Sequence, residues 1–236
     1  MKAILHTAES RGHVNFGWLD SYQSFSFGEF YDPNKVHFGA LRVLNDDTVT
    51  AGRGFGFHPH DNMEIISIPL EGDLEHKDNT GTHAIIRHGD VQVMSAGTGI
   101  VHSEYNKSKD SLVKFLQVWI IPAKRNVSPR YQQVSIDQLQ ENQLVQIVSP
   151  HEHDAGVWIH QDAWFHLGKF ESAKSMTYSM KTEGNGAYVF LLSGSIEVNG
   201  QVLNARDAYG IWDTDQFDIK SITDSSFLII DVPMIA

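Results

Sequence analysis

Short runs of β-branched and aromatic residues recur along the chain and are separated at close intervals by Gly, Asn and Asp. This pattern is typical of an all-β protein built as a sandwich or barrel. In the first half it predicts five strands, at residues 24–27, 40–44, 64–68, 91–94 and 115–120. Long helical periodicity is absent, and only residues 133–144 are compatible with a helical turn or two, so any helices are expected to be short.

The second half of the chain repeats the strand order of the first half. Residues 187–203 are predicted as strand, turn, strand, turn and strand, and they parallel residues 63–76 when Gly194 is placed opposite Gly72. Self-similarity of this kind indicates an internal duplication. We therefore predict two β domains of the same design.

A polar segment flanked by prolines, residues 122–129, lies between the two copies and marks the predicted boundary. It divides the 236 residues into a first domain at residues 1–125 and a second at residues 126–236. A chain of this length is sufficient for two small β domains.

Side chains that bind metals stand two residues apart at two places in the first half. His58 and His60 flank a proline, and His102 and Glu104 flank a serine. Because residues i and i+2 of a strand point to the same face, each pair aims at one point, and the two pairs can share that point. Three imidazoles and one carboxylate suit a divalent first-row transition metal. The spacing therefore predicts one metal site.

Glu64 offers an alternative carboxylate. It lies four positions after His60, so an unbroken strand would point it to the same face as both histidines. The residues alone leave Glu104 and Glu64 open as the metal ligand. The one that does not bind the metal is expected near the site, as a base or as a hydrogen-bond acceptor.

Only the first copy carries candidate metal ligands. With the two copies matched as above, Met180 falls opposite His58 and Thr182 falls opposite His60, and no histidine occurs after His166. We therefore expect the second domain to be a structural half or a docking surface.

Two further predictions concern residues close to the site in sequence. Phe55 and Phe57 alternate with glycine just before His58, and we expect one of the two rings to face the cavity. Asp46 and Asp47 are predicted to form a hairpin turn, and not a second carboxylate site.

Acidic residues outnumber basic ones, with 29 Asp and Glu against 18 Lys and Arg and a formal net charge of −11. Such a chain, without a basic run, is a poor candidate for direct binding of nucleic acid, although this does not argue against a protein partner that binds DNA.

The absence of cysteine excludes disulfides, thiolate zinc sites and cysteine nucleophiles. No stretch approaches the roughly 20 apolar residues of a membrane span, and the first residues lack the apolar core of a signal peptide. We therefore expect a cytoplasmic protein, and a monomer.

Two segments of the first half resemble the two sequence motifs of the cupins. Residues 52–72 contain the glycines, histidines and glutamate of the first motif, and residues 89–106 resemble the second motif with two extra residues before its histidine. The segments that resemble the pirin branch of the cupins in particular are residues 25–33, 41–47, 58–60, 95–100 and 102–104. The resemblance covers nearly the whole chain, but in the second half it depends only on glycine and hydrophobic spacing.

The resemblance implies an all-β bicupin, in which two jelly-roll barrels pack together and a single metal lies in the N-terminal barrel. In pirins the metal ligands come from a His-Pro-His element and a His-x-Glu element. Carried over to this chain, these ligands are His58, His60, His102 and Glu104. The resemblance thus favours Glu104 over Glu64 as the carboxylate ligand.

The ligand set by itself does not select among Fe(II), Mn(II), Co(II), Ni(II), Cu(II) and Zn(II), and Fe(II) is our preferred ion. Four protein ligands on an octahedral ion leave about two positions for substrate or dioxygen. With one carboxylate ligand the ion keeps a net charge of about +1, which the enolate of a 3-hydroxyflavone would neutralise.

The resemblance implies two functions of different classes. Bacterial pirins of this kind include quercetin 2,3-dioxygenases, which open the heterocyclic ring of flavonols with dioxygen. We therefore expect a metal-dependent dioxygenase acting on a flavonol-like aromatic substrate, with Glu104 and Glu64 as candidate catalytic carboxylates. The alternative follows from eukaryotic pirins, which are iron-dependent transcriptional co-regulators: a non-enzymatic, iron-binding or redox-sensing regulator that acts through a protein partner.

Overall fold

The computed structural model describes residues 1–136 and 140–234 of the chain. Within these residues the fold is β throughout, with 22 strands in four sheets and one short 3-10 helix at Ala8–Ser10. The predicted all-β bicupin class is confirmed. The helical turn predicted within residues 133–144 falls partly on residues 137–139, which lie outside the described residues, and extended strands flank them. No helix of the described residues is long and apolar enough to cross a membrane.

The first barrel consists of a seven-stranded and a four-stranded sheet. The strands of the large sheet are, in hydrogen-bonding order, β12 (Arg130–Ser135), β9 (Asp90–Ser95), β6 (Glu64–Glu71), β11 (Val113–Ile120), β4 (Leu41–Val49), β3 (Leu19–Gln23) and β2 (Gly12–Asn15). The strands of the small sheet are β5 (Gly54–His60), β10 (Ile100–Asn106), β7 (Leu74–Asp78) and β8 (His83–Ile86).

The second barrel has the same two-sheet design. The strands of its large sheet are β1 (Lys2–His6), β20 (Ala208–Trp212), β17 (Asn185–Ser193), β22 (Ser225–Pro233), β15 (Trp164–Phe170), β13 (Gln143–Ser149) and β14 (Val157–Trp158). The strands of its small sheet are β16 (Ser175–Ser179), β21 (Gln216–Ser221), β18 (Ser195–Val198) and β19 (Gln201–Asn204).

The two barrels share one strand order, which agrees with the internal duplication predicted from the sequence. Counting from the same edge, β5-β10-β7-β8 corresponds to β16-β21-β18-β19, and the large sheets match in the same way. Each large sheet also takes its edge strand from outside its own half. Strand β1, at the start of the chain, pairs with β20 of the second barrel, while β12 pairs with β9 of the first. Strand β12 follows residues 125 and 126 in sequence, yet it pairs within the large sheet of the first barrel. The domain boundary at residues 125 and 126 stays a prediction.

The two large sheets pack face to face through one apolar core that both barrels share. Strand β6 contributes Ile66 and Ile68 to this core, and β22 contributes Leu228 and Ile230. Because successive residues of a strand point to opposite faces, the alternate residues of β6, such as Ser67, point into the first barrel. The face that packs between the barrels therefore determines which residues are available inside them.

The structure corrects two local predictions. Residues 24–27 do not form a strand, since Phe27 makes only an isolated bridge with Phe30 after β3 has ended. Asp46 and Asp47 do not form a hairpin turn, because β4 runs through both and pairs with β3 and β11 at these positions. Pairing with a strand on each side overrides the local turn propensity, and the two carboxyl groups point to opposite faces of the sheet.

Asp46 connects the two barrels through charged hydrogen bonds. Its Oδ2 accepts from Nη1 of Arg11 at 3.3 Å and from Nε of Arg206, which follows β19 in the second barrel, at 2.7 Å. The side chains of Arg11 and Asp46 are only 7% and 14% exposed. Pairs that are shielded from water in this way contribute more than surface pairs, about 1.5–3 kcal/mol for a hydrogen bond to a charged group.

We predict that Asp46→Asn lowers the free energy of unfolding by about 2–3 kcal/mol, because two guanidinium groups lose their shared anion. Urea denaturation followed by tryptophan fluorescence measures the change. The matched control is Asp154→Asn in an exposed loop, which we expect to change stability by less than about 0.5 kcal/mol. An unchanged denaturation midpoint for Asp46→Asn would contradict the proposed contribution of this ion pair.

Candidate metal centre

Three histidines meet inside the first barrel. His58 and His60 lie on β5, and His102 lies directly opposite His58 on the neighbouring strand β10. The ring centroids are 4.5 Å apart for His58 and His102, 4.8 Å for His58 and His60, and 5.0 Å for His60 and His102. One ligand atom of each ring lies within 4.8 Å of those of the other two. The structure thus brings together the three imidazoles that the sequence predicted.

The hydrogen bonds of these rings fit a metal. Nδ1 of His58 lies 2.7 Å from the carbonyl oxygen of Gly56, and donation to this oxygen leaves Nε2 with its lone pair. Nε2 of His102 is buried and has no hydrogen-bond partner among the residues that the structure describes. A buried nitrogen in this state is suited to a metal ion, which supplies the interaction that the protein does not.

The charge state of the rings also fits a metal. Burial lowers the pKa of His60 to about 4 and the pKa of His102 to about 2, and the neighbouring imidazoles add to both effects. Both rings are therefore neutral at pH 7, which is the form that binds a metal ion.

Glu104 is buried on the inward face of β10, two residues after His102. Its Oε1 accepts a hydrogen bond from the Ser67 hydroxyl at 2.9 Å, and its Oε2 accepts one from the Gln117 amide at 2.6 Å. Burial raises the pKa of Glu104 to about 7, and the two hydrogen bonds oppose this effect. The two donors come from β6 and β11, so hydrogen bonds from the large sheet hold the carboxyl group, which itself belongs to the small sheet.

His76 is a member of the site that sequence reasoning missed. One ligand atom each of His76, His102 and Glu104 lie within 4.8 Å of one another. Glu104 thus belongs to a second group, which shares His102 with the group of His58, His60 and His102. Nδ1 of His76 lies 3.5 Å from Nδ1 of His102, and its Nε2 lies 2.9 Å from Oδ2 of the buried Asp78. The signal was present, because His76 and Asp78 have the same two-residue spacing as the predicted ligand pairs.

Glu64 lies outside the group formed by His58, His60 and His102. Its Oε2 accepts from the Ser95 hydroxyl at 2.6 Å, and its Oε1 lies 3.1 Å from Nδ1 of His160. Neither candidate ligand group among the described residues contains it. The argument from strand alternation fails because the strand is broken: β5 ends at His60, and the chain turns at Asn62, whose φ is 46°. Glu64 begins β6 in the opposite sheet.

An irregularity in β5 decides which phenylalanine faces the site. The register between β5 and β10 shifts, so that one residue on β10, Ser103, opposes two on β5, Gly56 and Phe57. Such a bulge turns the chain, and Phe55 and His58 consequently face the same side. Phe55 lines the cavity, whereas Phe57 is 66% exposed. The sequence predicted that one ring would face the cavity, and the bulge selects Phe55.

The site opens into a small cavity of about 60 Å³. The residues that line it are Phe27, Asn45, Asp47, Phe55, His58, His60, Ile65, His102, Glu104, Gln117 and Trp119. Pockets that enclose a whole drug-sized ligand have volumes of about 300–1,000 Å³. This cavity therefore has room for only part of a ligand of that size.

The second barrel has apolar residues at two positions that correspond to predicted metal ligands. Matched through the register of β7 and β18, Phe217 and Ile219 of β21 take the places of His102 and Glu104. Both are buried in a continuous apolar core. No candidate ligand group lies in the described part of the second barrel.

The chain matches two known families in series. The Pirin family matches residues 5–120, and a family described as the quercetinase C-terminal cupin domain matches residues 146–232. A protein named quercetin 2,3-dioxygenase from Escherichia coli K12 is 40% identical over 229 residues, which cover 97% of this chain and 98% of that protein. A pirin-like protein from Caulobacter vibrioides is 36% identical over 222 residues, 93% of this chain and 95% of that protein.

The fold agrees with a solved structure of the same kind. The crystal structure of the Escherichia coli pirin YhhW in complex with nickel(II) has a TM-score of 0.94 and 37% identity, and the match covers 99% of this chain and 100% of that one. Both sequence and structure agree over nearly the full length. The chain belongs to the pirin family.

Proposed function

We propose that this chain is a metal-dependent dioxygenase that opens the heterocyclic ring of a flavonol such as quercetin. The observation that carries the proposal is the group of His58, His60 and His102 at the wall of an aromatic-lined cavity. The name quercetin 2,3-dioxygenase, borne by a relative that is 40% identical over 97% of the chain, supports the reaction class.

His58, His60, His102 and Glu104 would hold one divalent ion, which we propose to be Fe(II). The nickel(II) complex of the related Escherichia coli pirin supports a divalent first-row ion, and the ligand set also suits Mn, Co, Cu and Zn. When bound, the ion lowers the pKa of a coordinated enol hydroxyl and accepts charge from the substrate as dioxygen reacts. Glu64 does not line the cavity, so we omit it from the proposed catalytic residues.

Aromatic side chains would orient the substrate and exclude water. Trp119 packs edge-on against His60, with ring centroids 4.9 Å apart, and against Phe27 at 5.3 Å. A flat ring can slide along such a wall towards the histidines. Because the cavity has a volume of about 60 Å³, the hydroxyl and carbonyl edge of a flavonol would enter and its outer rings would remain at the mouth.

His76 and Asp78 would hold His102 in place. A histidine ligand is oriented by the partner of its second nitrogen, and here that partner is a buried imidazole that is itself bonded to a carboxylate. Asp78 is held by the hydroxyl and backbone amide of Thr80. The chain thus supplies a rigid support behind the ligand.

The small cavity favours one second candidate, a metal- or redox-sensing regulator that acts through a protein partner. A sensor requires a metal whose state changes a surface, and it does not require space for a whole substrate. The two candidates differ in whether the loaded site consumes dioxygen.

We predict that iron-loaded protein takes up dioxygen with quercetin and releases carbon monoxide, and that His58→Ala lowers this rate at least about 100-fold by loss of a ligand. An oxygen electrode and a gas assay measure the reaction, with metal content determined by elemental analysis. The matched control is His153→Ala, in an exposed turn, which should retain the wild-type rate. No oxygen uptake by fully loaded protein would favour the regulator, and full activity of His58→Ala would refute the site.

We predict that Glu104→Gln weakens metal binding at least about tenfold, whereas Glu64→Gln leaves it unchanged. The reason is that Glu104 is beside His102, while Glu64 is bonded to Ser95 and His160 at the seam between the barrels. Competition with a fluorescent chelator measures the affinity. The reverse pattern, full affinity in Glu104→Gln and loss in Glu64→Gln, would show that Glu64 is the ligand.

A further inference from the structure

Two hydrogen-bond acceptors without partners face the histidines from the opposite wall of the cavity. Asn45 and Asp47 lie on β4, two residues apart, and their side chains line the same cavity as His58 and His102. Each residue is only 3% exposed. Oδ1 of each has no hydrogen-bond partner among residues 1–136 and 140–234.

Such an arrangement is unfavourable unless a ligand completes it. A buried acceptor without a partner loses the hydrogen bonds that it makes with water in the unfolded chain. For Asp47, burial raises the pKa to about 7, and the single hydrogen bond from Ser21 of β3 opposes this only in part. Buried polar groups in folded proteins are nearly always hydrogen-bonded, so each exception requires an explanation. The wall is therefore complementary to a hydrogen-bond donor that the protein itself does not provide.

The second barrel shows that the position of Asp47 can be occupied without a carboxyl group. By strand register, Gly168 of β15 takes the place of Asp47. The ring of Phe227 covers it closely, since a Cβ at this position would come within 2.8 Å of that ring. The same fold is therefore stable with an apolar filling at this point, and the carboxyl group of the first barrel is not required by the architecture.

A donor without a partner lies in the same cavity. Nε1 of Trp119 is buried and unbonded within the described part of the chain, and its ring packs against His60. The cavity thus offers an indole N–H that suits a carbonyl oxygen, and carboxyl and amide oxygens that suit a hydroxyl.

We propose that Asp47, assisted by Asn45, accepts a hydrogen bond from a hydroxyl group of the bound ligand. The cavity then selects enols or phenols that carry this hydroxyl next to a carbonyl oxygen. The proposal rests on the proposed function in taking this cavity as the substrate site, and it adds the residue that recognises the reacting edge of the substrate.

Maltol, a 3-hydroxy-4-pyranone, is the probe for this test. It has the hydroxyl and carbonyl edge of a flavonol without the outer rings. Its binding to iron-loaded protein is measured by anaerobic calorimetry. Asp47→Asn keeps the size of the side chain, and we expect it to raise the maltol dissociation constant roughly ten- to a hundredfold. We expect no loss of bound iron and no decrease in Tm, because the substitution removes a buried charge.

The matched control is Asp46→Asn, the same change one residue away on the other face of β4. We expect it to lower Tm and to leave maltol affinity unchanged, the opposite of the result for Asp47→Asn. Equal maltol affinity of wild type and Asp47→Asn, or no maltol binding by wild type, would overturn the proposal. A fall in Tm as large as that of Asp46→Asn would assign Asp47 a structural role and overturn it too.

The failure of the proposed function gives a different result. If quercetin causes no oxygen uptake while Asp47→Asn still weakens maltol binding, the dioxygenase assignment fails and the hydroxyl subsite stands. If quercetin is consumed at the wild-type rate by Asp47→Asn and its maltol affinity is unchanged, the subsite fails and the dioxygenase stands.

Discussion

The packing of two seven-stranded sheets against each other is the constraint on which the rest of the structure depends. It places one face of every central strand in an apolar core shared by both barrels. Since residues alternate between the faces of a strand, the remaining residues must point into a barrel. Ile66 of β6 enters the shared core, and its neighbour Ser67 bonds to Glu104 inside the first barrel.

This division separates stability from chemistry. The shared core holds the sheets in position whichever side chains lie inside a barrel. The second barrel has the apolar Phe217 and Ile219 at the places of His102 and Glu104, and its buried Asp231 is hydrogen-bonded to Tyr178 and Asn185. The first barrel has histidines and carboxyl groups at the corresponding strands, and its interior is incompletely hydrogen-bonded. Duplication of one fold thus allows one copy to contribute mainly to stability while the other keeps polar groups that a ligand can use.

Prediction from the sequence succeeded where the geometry of a single strand determines which side chains share a face. The pairs His58 and His60, and His102 and Glu104, each share a face because of the geometry of a single strand. The resemblance to pirins supplied the bicupin fold, which periodicity alone would have left as a sandwich or barrel. Prediction failed at residues 24–27, which form a loop, and at Asp46 and Asp47, where strand pairing overrode turn propensity.

The sequence by itself determined which side chains lie two residues apart on a strand, and therefore which can act together, because alternation is a local property of the backbone. Tertiary structure decided every feature that depends on how a strand pairs with its neighbours or where the chain turns. The bulge in β5 selected Phe55, the turn at Asn62 sent Glu64 to the other sheet, and strand pairing brought Asp47 to face the histidines. Register and turns are set by contacts between residues distant in sequence, so no local pattern contains them.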